Sequence, residues 1–206
     1  MAVTVERTRQ RISSDRLARI ASRLLTASTL CALATVSSRG QAHVNTMYFA
    51  RGKPWDLVWI SAADSTHSRN VRANGSAAIA VYDSRQRWGG SDRGIQVFGR
   101  ARQLAGLSGR EALECYARRF RRDERILRRF VPYRLRPRRM KMFDEGELGT
   151  GTFVVARVNP DGTLVWERTE AYRDNALRDP LEKQARTRDG RPTAPGDVKG
   201  HRDTAR

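Results

Sequence analysis

Between Leu30 and Leu104 the chain repeats one pattern, a short apolar stretch followed by a tight turn. Leu30–Val36 reads as a buried strand, and Ser37, Ser38, Arg39 and Gly40 supply the turn after it. Gln41–Arg51 follows as a second strand of alternating character, turned by Arg51, Gly52, Lys53 and Pro54. Leu57–Ser61, Ser76–Tyr82 and Gly94–Leu104 continue the series. Parallel strands need long crossovers, whereas antiparallel strands can be joined by turns of this length. The pattern therefore predicts an antiparallel sheet or barrel.

Helical spacing interrupts the strands three times. Ser14 or Asp15 can cap a helix whose Leu17, Ile20, Ala21, Leu24 and Leu25 share one face. Thr66–Asn74 is a short helix stopped by Asn74 and Gly75. Ser108–Val131 places Leu113, Tyr116, Phe120, Leu127 and Phe130 near one face and its arginines on the others. Tyr133–Phe143 returns as a strand. Phe153–Val158 and Thr163–Glu167 then form a hairpin around Asn159, Pro160, Asp161 and Gly162. The class is α+β, an antiparallel β-barrel-like core with flanking helices. Residues 1–13 read as a flexible N-terminus and 14–168 as the folded domain. The tail 169–206, nearly devoid of apolar side chains, reads as disordered or ordered only by a partner.

Composition narrows the function classes. The 206 residues carry a formal net charge of +18, and 12 basic side chains crowd Arg118–Lys141 against only Asp123 and Glu124. Such a patch suits a polyanion. Its interleaved Phe120, Phe130 and Tyr133, however, fit a buried helix face better than a base-stacking array. No helix-turn-helix or other nucleic-acid motif accompanies them, so nucleic acid is not the expected partner. The patch can equally attract an anionic cofactor or substrate, or pair with acidic groups across a dimer. Cys31 and Cys115 sit in different apolar segments and read as free buried thiols, in keeping with a reducing cytoplasm. Three histidines without a cysteine–histidine cluster predict no metal site. No apolar run approaches the ~20 residues of a membrane span.

Chemistry concentrates in a few stretches. "STHSRNVRANG", from Ser65 to Gly75, combines hydroxyls, a histidine and a helix start, the donor set of a phosphate cradle. A polar helix start with a solvated face remains the other reading. Taken in order, "GQAHVNTMYFARG", "DLVWISAADSTHSRNVRANGSAAIAVYDS" and "RGIQVFGRARQL" resemble the pyridoxamine 5′-phosphate oxidase-like, FMN-binding split barrels, a resemblance covering about Ser14 to Glu167. It implies that the barrel is an antiparallel split β-barrel, a homodimer with two FMN molecules between the protomers, and a small-molecule substrate. By the same resemblance, Asn45, Thr46 and Met47 lie along the flavin ring, and Ser61, Ser65, Thr66 and His67 contact its ribityl and phosphate groups. Gln96 reaches toward the flavin or its phosphate. On the residues alone, Asn45 and Thr46 can instead face solvent or satisfy one another, and Gln96 can point outward from an alternating strand.

The chain departs from the family at one place: Thr66 and His67 stand where lysine or arginine is common. Arg69 or Arg72 is the candidate replacement charge. His43 reads as structural or substrate-facing. No catalytic triad, paired carboxylates or P-loop appears, which is compatible with a flavoenzyme because the cofactor carries the redox step. The expectation is an FMN-dependent oxidoreductase moving hydride through flavin N5. Its alternatives are a non-catalytic flavin-binding or basic nucleic-acid-binding protein, or a split barrel using F420 or haem. Pyridoxamine phosphate oxidase activity itself is not expected, because a hairpin and polar tail replace the strand that family places around its substrate.

Overall fold

A computed structural model describes residues 3–174 except Trp88. The chain divides into two units, Val5–Tyr172 and a second of Met1–Thr4 with Arg173–Arg206. The fold set out below is that of the first, although the strand bounds of β1 and β10 take in Val3, Thr4, Arg173 and Asp174 of the second. Its elements are β1 (Val3–Thr8), α1 (Ser14–Thr26), β2 (Leu30–Val36), β3 (Ala42–Tyr48), β4 (Ala50–Arg51), β5 (Leu57–Ser61), α2 (Thr66–Ala73), β6 (Ser76–Tyr82), β7 (Arg93–Gln103), α3 (Gly106–Phe120), α4 (Glu124–Leu127), β8 (Val131–Asp144), α5 (Glu145–Leu148), β9 (Thr152–Val158) and β10 (Leu164–Asp174). The class is the expected α+β, built on an antiparallel sheet of order β1-β10-β9-β8-β7-β6-β2-β3, with β4 and β5 branching from β8.

Alternation decides which face of each strand is buried. In β2, Cys31, Leu33 and Thr35 point into the core while Ala32, Ala34 and Val36 stay half-buried; β6 repeats this with Ala77, Ile79 and Val81 inside. Strand β5 lacks alternation because both its faces are covered. Leu57 and Trp59 join the main core, while Val58 packs with Leu104 and Ala112 of the β7–α3 segment. Trp59 stacks on Tyr133, its register partner in β8, with ring centroids 5.6 Å apart. Both rings are fully buried. Burial of their ring carbons is favourable, but Trp59 Nε1 and Tyr133 OH take no hydrogen bond among the described residues, which offsets part of that gain.

Several boundaries differ from the sequence expectation. Val3–Thr8, read as loose, forms the exposed edge strand β1, following its short alternation of valine with polar residues. The cap of α1 is Ser13, one residue earlier than expected, and its hydroxyl accepts from Arg16 N–H at 3.4 Å. The second strand is broken at Phe49, whose fully buried ring turns inward and whose N–H donates to Thr29 O. Ala50 and Arg51 then pair with β5 instead of β2. The long helix stops at Phe120 because Arg121 adopts a left-handed conformation, φ 50°. Phe130 leaves the apolar face and is 42% exposed, whereas Tyr116 and Leu127 are buried as expected. The last strand extends past Glu170 to Asp174; the remainder of the tail lies outside the described residues.

One irregularity shapes the sheet. The β7–β8 register slips between Phe98 and Gly99, leaving Arg138 without a partner and setting Gly99 opposite Pro137. Proline donates no ladder hydrogen bond, so its tolerated place inside a sheet is a bulge. Gly99 permits the close approach: a Cβ there would collide with Arg136 O and lie 3.0 Å from Pro137 Cα. Gly99→Ala is expected to cost about 1–3 kcal/mol of unfolding free energy through overpacking. The measurement is a urea titration, with a lowered midpoint and an unchanged slope. A midpoint equal to the parent's would show that β8 yields there without strain.

Candidate functional site

The turn from β5 into α2 gathers four polar side chains within direct hydrogen-bond reach. Ser61 ends β5, and Ser65 caps α2 in extended conformation, φ −65° and ψ 155°. His67 Nε2 lies 2.7 Å from Ser61 Oγ and 3.1 Å from Ser65 Oγ, and the two hydroxyl oxygens are 3.1 Å apart. Ser65 Oγ donates to Ser68 Oγ at 2.8 Å and accepts from Ser68 N–H at 3.3 Å. The helix start brings backbone N–H groups and the positive end of a dipole to the same place. Asn70, one turn on, anchors α2 to the sheet by donating to Thr35 Oγ1 at 3.1 Å.

The imidazole is 8% exposed. Burial lowers its pKa below the ordinary histidine value, and the neighbouring His43 lowers it further. The two rings are stacked with centroids 6.5 Å apart. His67 is therefore neutral near pH 7, with Nε2 able to accept from a serine or donate to it according to tautomer. His43 Nδ1 is buried and takes no hydrogen bond among the described residues.

The arginines of α2 do not join this cluster. Arg72 Nη1 donates to Ala63 O at 2.6 Å, and Arg69 donates to Asp64 O and to Thr66 Oγ1. Both guanidinium groups thus satisfy carbonyls of the turn, which no helix or strand ladder would otherwise reach.

The anticipated residues fall into separate groups. Ser61, Ser65 and His67 meet directly. Thr66 lies beside Arg69, away from them. On β3, Met47 packs against the core and Asn45 is half-buried on the same alternating face as His43. Thr46 faces the other way, opposite Ala32, in a row that runs through Ala80 to Gln96 and Lys141. At about 4.8 Å per strand, Thr46 and Gln96 stand roughly 14 Å apart on that outer face. Ser68 and Asn70 were not among the residues anticipated from the sequence; their partners, Ser65 and Thr35, become apparent only in the fold.

A cavity of about 880 Å³ lies elsewhere, between α3, β4, β5 and β8. None of the anticipated residues lines it. Arg119, inside it, donates to Ser28 O at 2.7 Å and lies 5.0 Å over the Phe49 ring. Cys115 donates to Arg51 O at 3.3 Å, and burial raises its pKa, so its thiol is protonated and unreactive. The Cys31 thiol is pushed up to about 12 by burial. Among the described residues no group of histidine, cysteine and carboxylate side chains is placed to hold a metal ion, and no helix is long and apolar enough to cross a membrane.

The same sheet is found in known proteins. Among solved structures, the conserved hypothetical protein Rv2991 of Mycobacterium tuberculosis is 23% identical, covering 69% of this chain and 93% of its own, with a TM-score of 0.54. PhzG of Burkholderia lata 383, in complex with tetrahydrophenazine-1-carboxylic acid, is 17% identical over 70% of this chain and 82% of its own, TM-score 0.50. The haem storage protein HutZ of Vibrio cholerae is 16% identical over 56% and 86%, TM-score 0.50. These likenesses are of fold. No curated protein matches the chain. The family model described as pyridoxamine 5′-phosphate oxidase matches residues 19–144, more than half of the 206, from within α1 through β8. By that match, and with this sheet, the chain belongs to the pyridoxamine 5′-phosphate oxidase family.

Proposed function

We propose that the protein binds FMN through the turn between β5 and α2, and is an FMN-dependent oxidoreductase acting on a small molecule. One observation carries the reading: Ser61, Ser65, His67 and Ser68 converge on one another at a helix start, a donor set suited to a phosphate monoester. Family membership supports it. The buried, unpartnered His43 Nδ1 beside this cluster supplies a further polar atom for a ligand to satisfy. FMN, when bound, supplies the hydride chemistry. This chain's own residues hold the phosphate, exclude water around it and set the proton on His67.

In this reading Ser61, Ser65 and His67 hold the phosphate and ribityl end with Thr66 at the margin beside Arg69, while the β3 backbone at Asn45–Met47 runs along the ring, with the Thr46 side chain toward it. The split of Thr46 and Gln96 onto the outer sheet face then has a reason: they serve a cofactor lying between two copies. That face carries a floor of Ala32, Ala34, Ala78 and Ala80, with Val44 65% and Phe98 40% exposed at its margins. Small side chains under exposed large ones make a surface that a second sheet can cover, so the functional unit is a homodimer.

The absorbance and mass of the small molecule that co-purifies with the full chain test the assignment. FMN is expected; F420, or haem as in the haem storage protein HutZ, would overturn it. His67→Gln is expected to weaken FMN binding about tenfold, near 1.4 kcal/mol.

Two pH effects follow from the lowered pKa of His67. In the ligand-free protein the unfolded chain takes up the proton first, at about pH 6.5. Stability conferred by the neutral ring is thus complete above that pH and lost as pH falls toward the folded value. Thermal melts should show a fall below about pH 6.5 that His67→Gln reduces. A bound phosphate favours the imidazolium, so FMN binding should tighten from pH 8 to pH 6 more in the parent than in His67→Gln. The variant retains the titration of the phosphate itself, whose second pKa is about 6. Parallel profiles in titration calorimetry would remove His67 from the site.

A further inference from the structure

At the opposite end of β5, the sheet sets like charges directly against one another. Arg100 of β7 pairs in register with Arg136 of β8, and Arg102 with Arg134. Directly opposed charges of one sign destabilise a strand pair. Among the described residues, the carboxylate ion-paired with these arginines is Asp56, 3.1 Å from Arg134 and 3.6 Å from Arg136. Arg138, left without a register partner by the bulge, adds a fifth guanidinium. Among the described residues, Arg100, Arg102 and Arg138 take no ion pair.

These charges edge a built cavity instead of a flat face. A half-open cavity of about 390 Å³ lies between the Pro54–Asp56 segment, the bulge and the β9–β10 turn, with Asp56 itself in its lining. Arg100, Arg136 and Arg138 line it together with Trp55, Pro137 and Asn159. The two turns are locked together. Trp55 Nε1 donates to Gly162 O at 2.7 Å, and Gly162, φ 89°, lets the β9–β10 turn approach so closely that a Cβ would lie 2.9 Å from Pro54 Cγ. Arg100 also borders two neighbouring cavities, of about 300 and 710 Å³. It stands at the centre of the field.

We infer that this arginine-edged cavity at the β7–β8 bulge binds the diphosphate group of a small molecule. A guanidinium presents a planar fork matched to phosphate oxygens, and two forks facing across a strand pair can engage the two phosphates of one diphosphate. The volume falls in the range of small-ligand pockets, and the walls of proline and tryptophan suit the organic part. An extended nucleic acid would need the charges spread along an open face. The site is separate from the Ser61–His67 cluster: β5 places Leu57 and Ser61 at its two ends, roughly 13 Å apart at 3.3 Å per residue. It does not depend on the FMN reading.

Titration calorimetry of the full chain with inorganic pyrophosphate tests this, beside orthophosphate and a short DNA duplex. Pyrophosphate is expected to bind at micromolar concentration and at least tenfold more tightly than orthophosphate. Arg100→Gln and Arg138→Gln should each weaken it about tenfold. Because Arg100→Gln also relieves repulsion against Arg136, its ligand-free melting temperature should equal or exceed the parent's, which a structural arginine would not allow. Absence of binding, or an affinity unchanged in both arginine variants, would overturn the assignment. Tighter binding of the duplex, sensitive to Arg100→Gln, would overturn it in favour of a nucleic-acid surface.

Discussion

The fold depends on one strand serving three neighbours. Over its 14 residues β8 pairs with β7 along its length, with β5 through Val131–Leu135, and with β9 through Arg139–Phe143. The exchange from β5 to β9 is made across Arg136, Pro137 and Arg138, where the bulge lies. Strand side chains alternate with period two, so in an unbroken strand Tyr133 and Leu135 would face one side and Met140 and Met142 the other. The extra residue at the bulge reverses that parity. All four side chains then enter the same core, fully buried. Continuity of the core along β8 and the crowding of arginines at the bulge are therefore two results of one backbone event.

That event also explains the electrostatics nearby. Asp56 sits 5% exposed at the β4–β5 turn. Burial raises its pKa, against the pull of Arg134 and Arg136 downward. Arg134 in turn is lowered by burial, partly countered by Asp56. A largely buried pair of this kind gains little stability, because desolvation offsets much of the Coulomb attraction. Its effect is to hold two guanidinium groups in place beside a cavity.

Local signals made most strands and the first two helices legible in the sequence. The apolar runs Leu30–Val36 and Ser76–Tyr82, the helical spacing of Leu17–Leu25 and the Asn159–Gly162 turn all act within a few residues. Features requiring tertiary context were not legible. Nothing near Phe49 announces that the chain leaves one strand pair for another; the buried ring decides it. The left-handed Arg121 ends a helix whose apolar spacing continues to Phe130, and spacing alone cannot report a backbone break. At the candidate site, the hydroxyls and His67 were visible as a helix start, but the destination of Arg69 and Arg72 was not. Their guanidinium groups satisfy the carbonyls of Asp64 and Ala63 because the turn would otherwise leave those oxygens to water alone.

A chain of net charge +18 thus turns both arginines of α2 away from the hydroxyl cluster at its start. The consequence is a difference in kind between two anion-suited regions of one protein. At Ser61–His67 the donors are hydroxyls, a neutral imidazole and a helix start, whose hydrogen bonds are short-ranged and little screened by salt. At Arg100–Arg138 the donors are full charges, partly exposed, whose field extends about one Debye length, near 8 Å at physiological ionic strength. The first arrangement selects by geometry and adds its positive charge only when an anion draws a proton onto His67. The second attracts any anion and relies on the walls of Trp55, Pro54 and Pro137 to choose among them. Raising ionic strength weakens the second far more than the first, so salt separates the contributions of the two regions without a mutation.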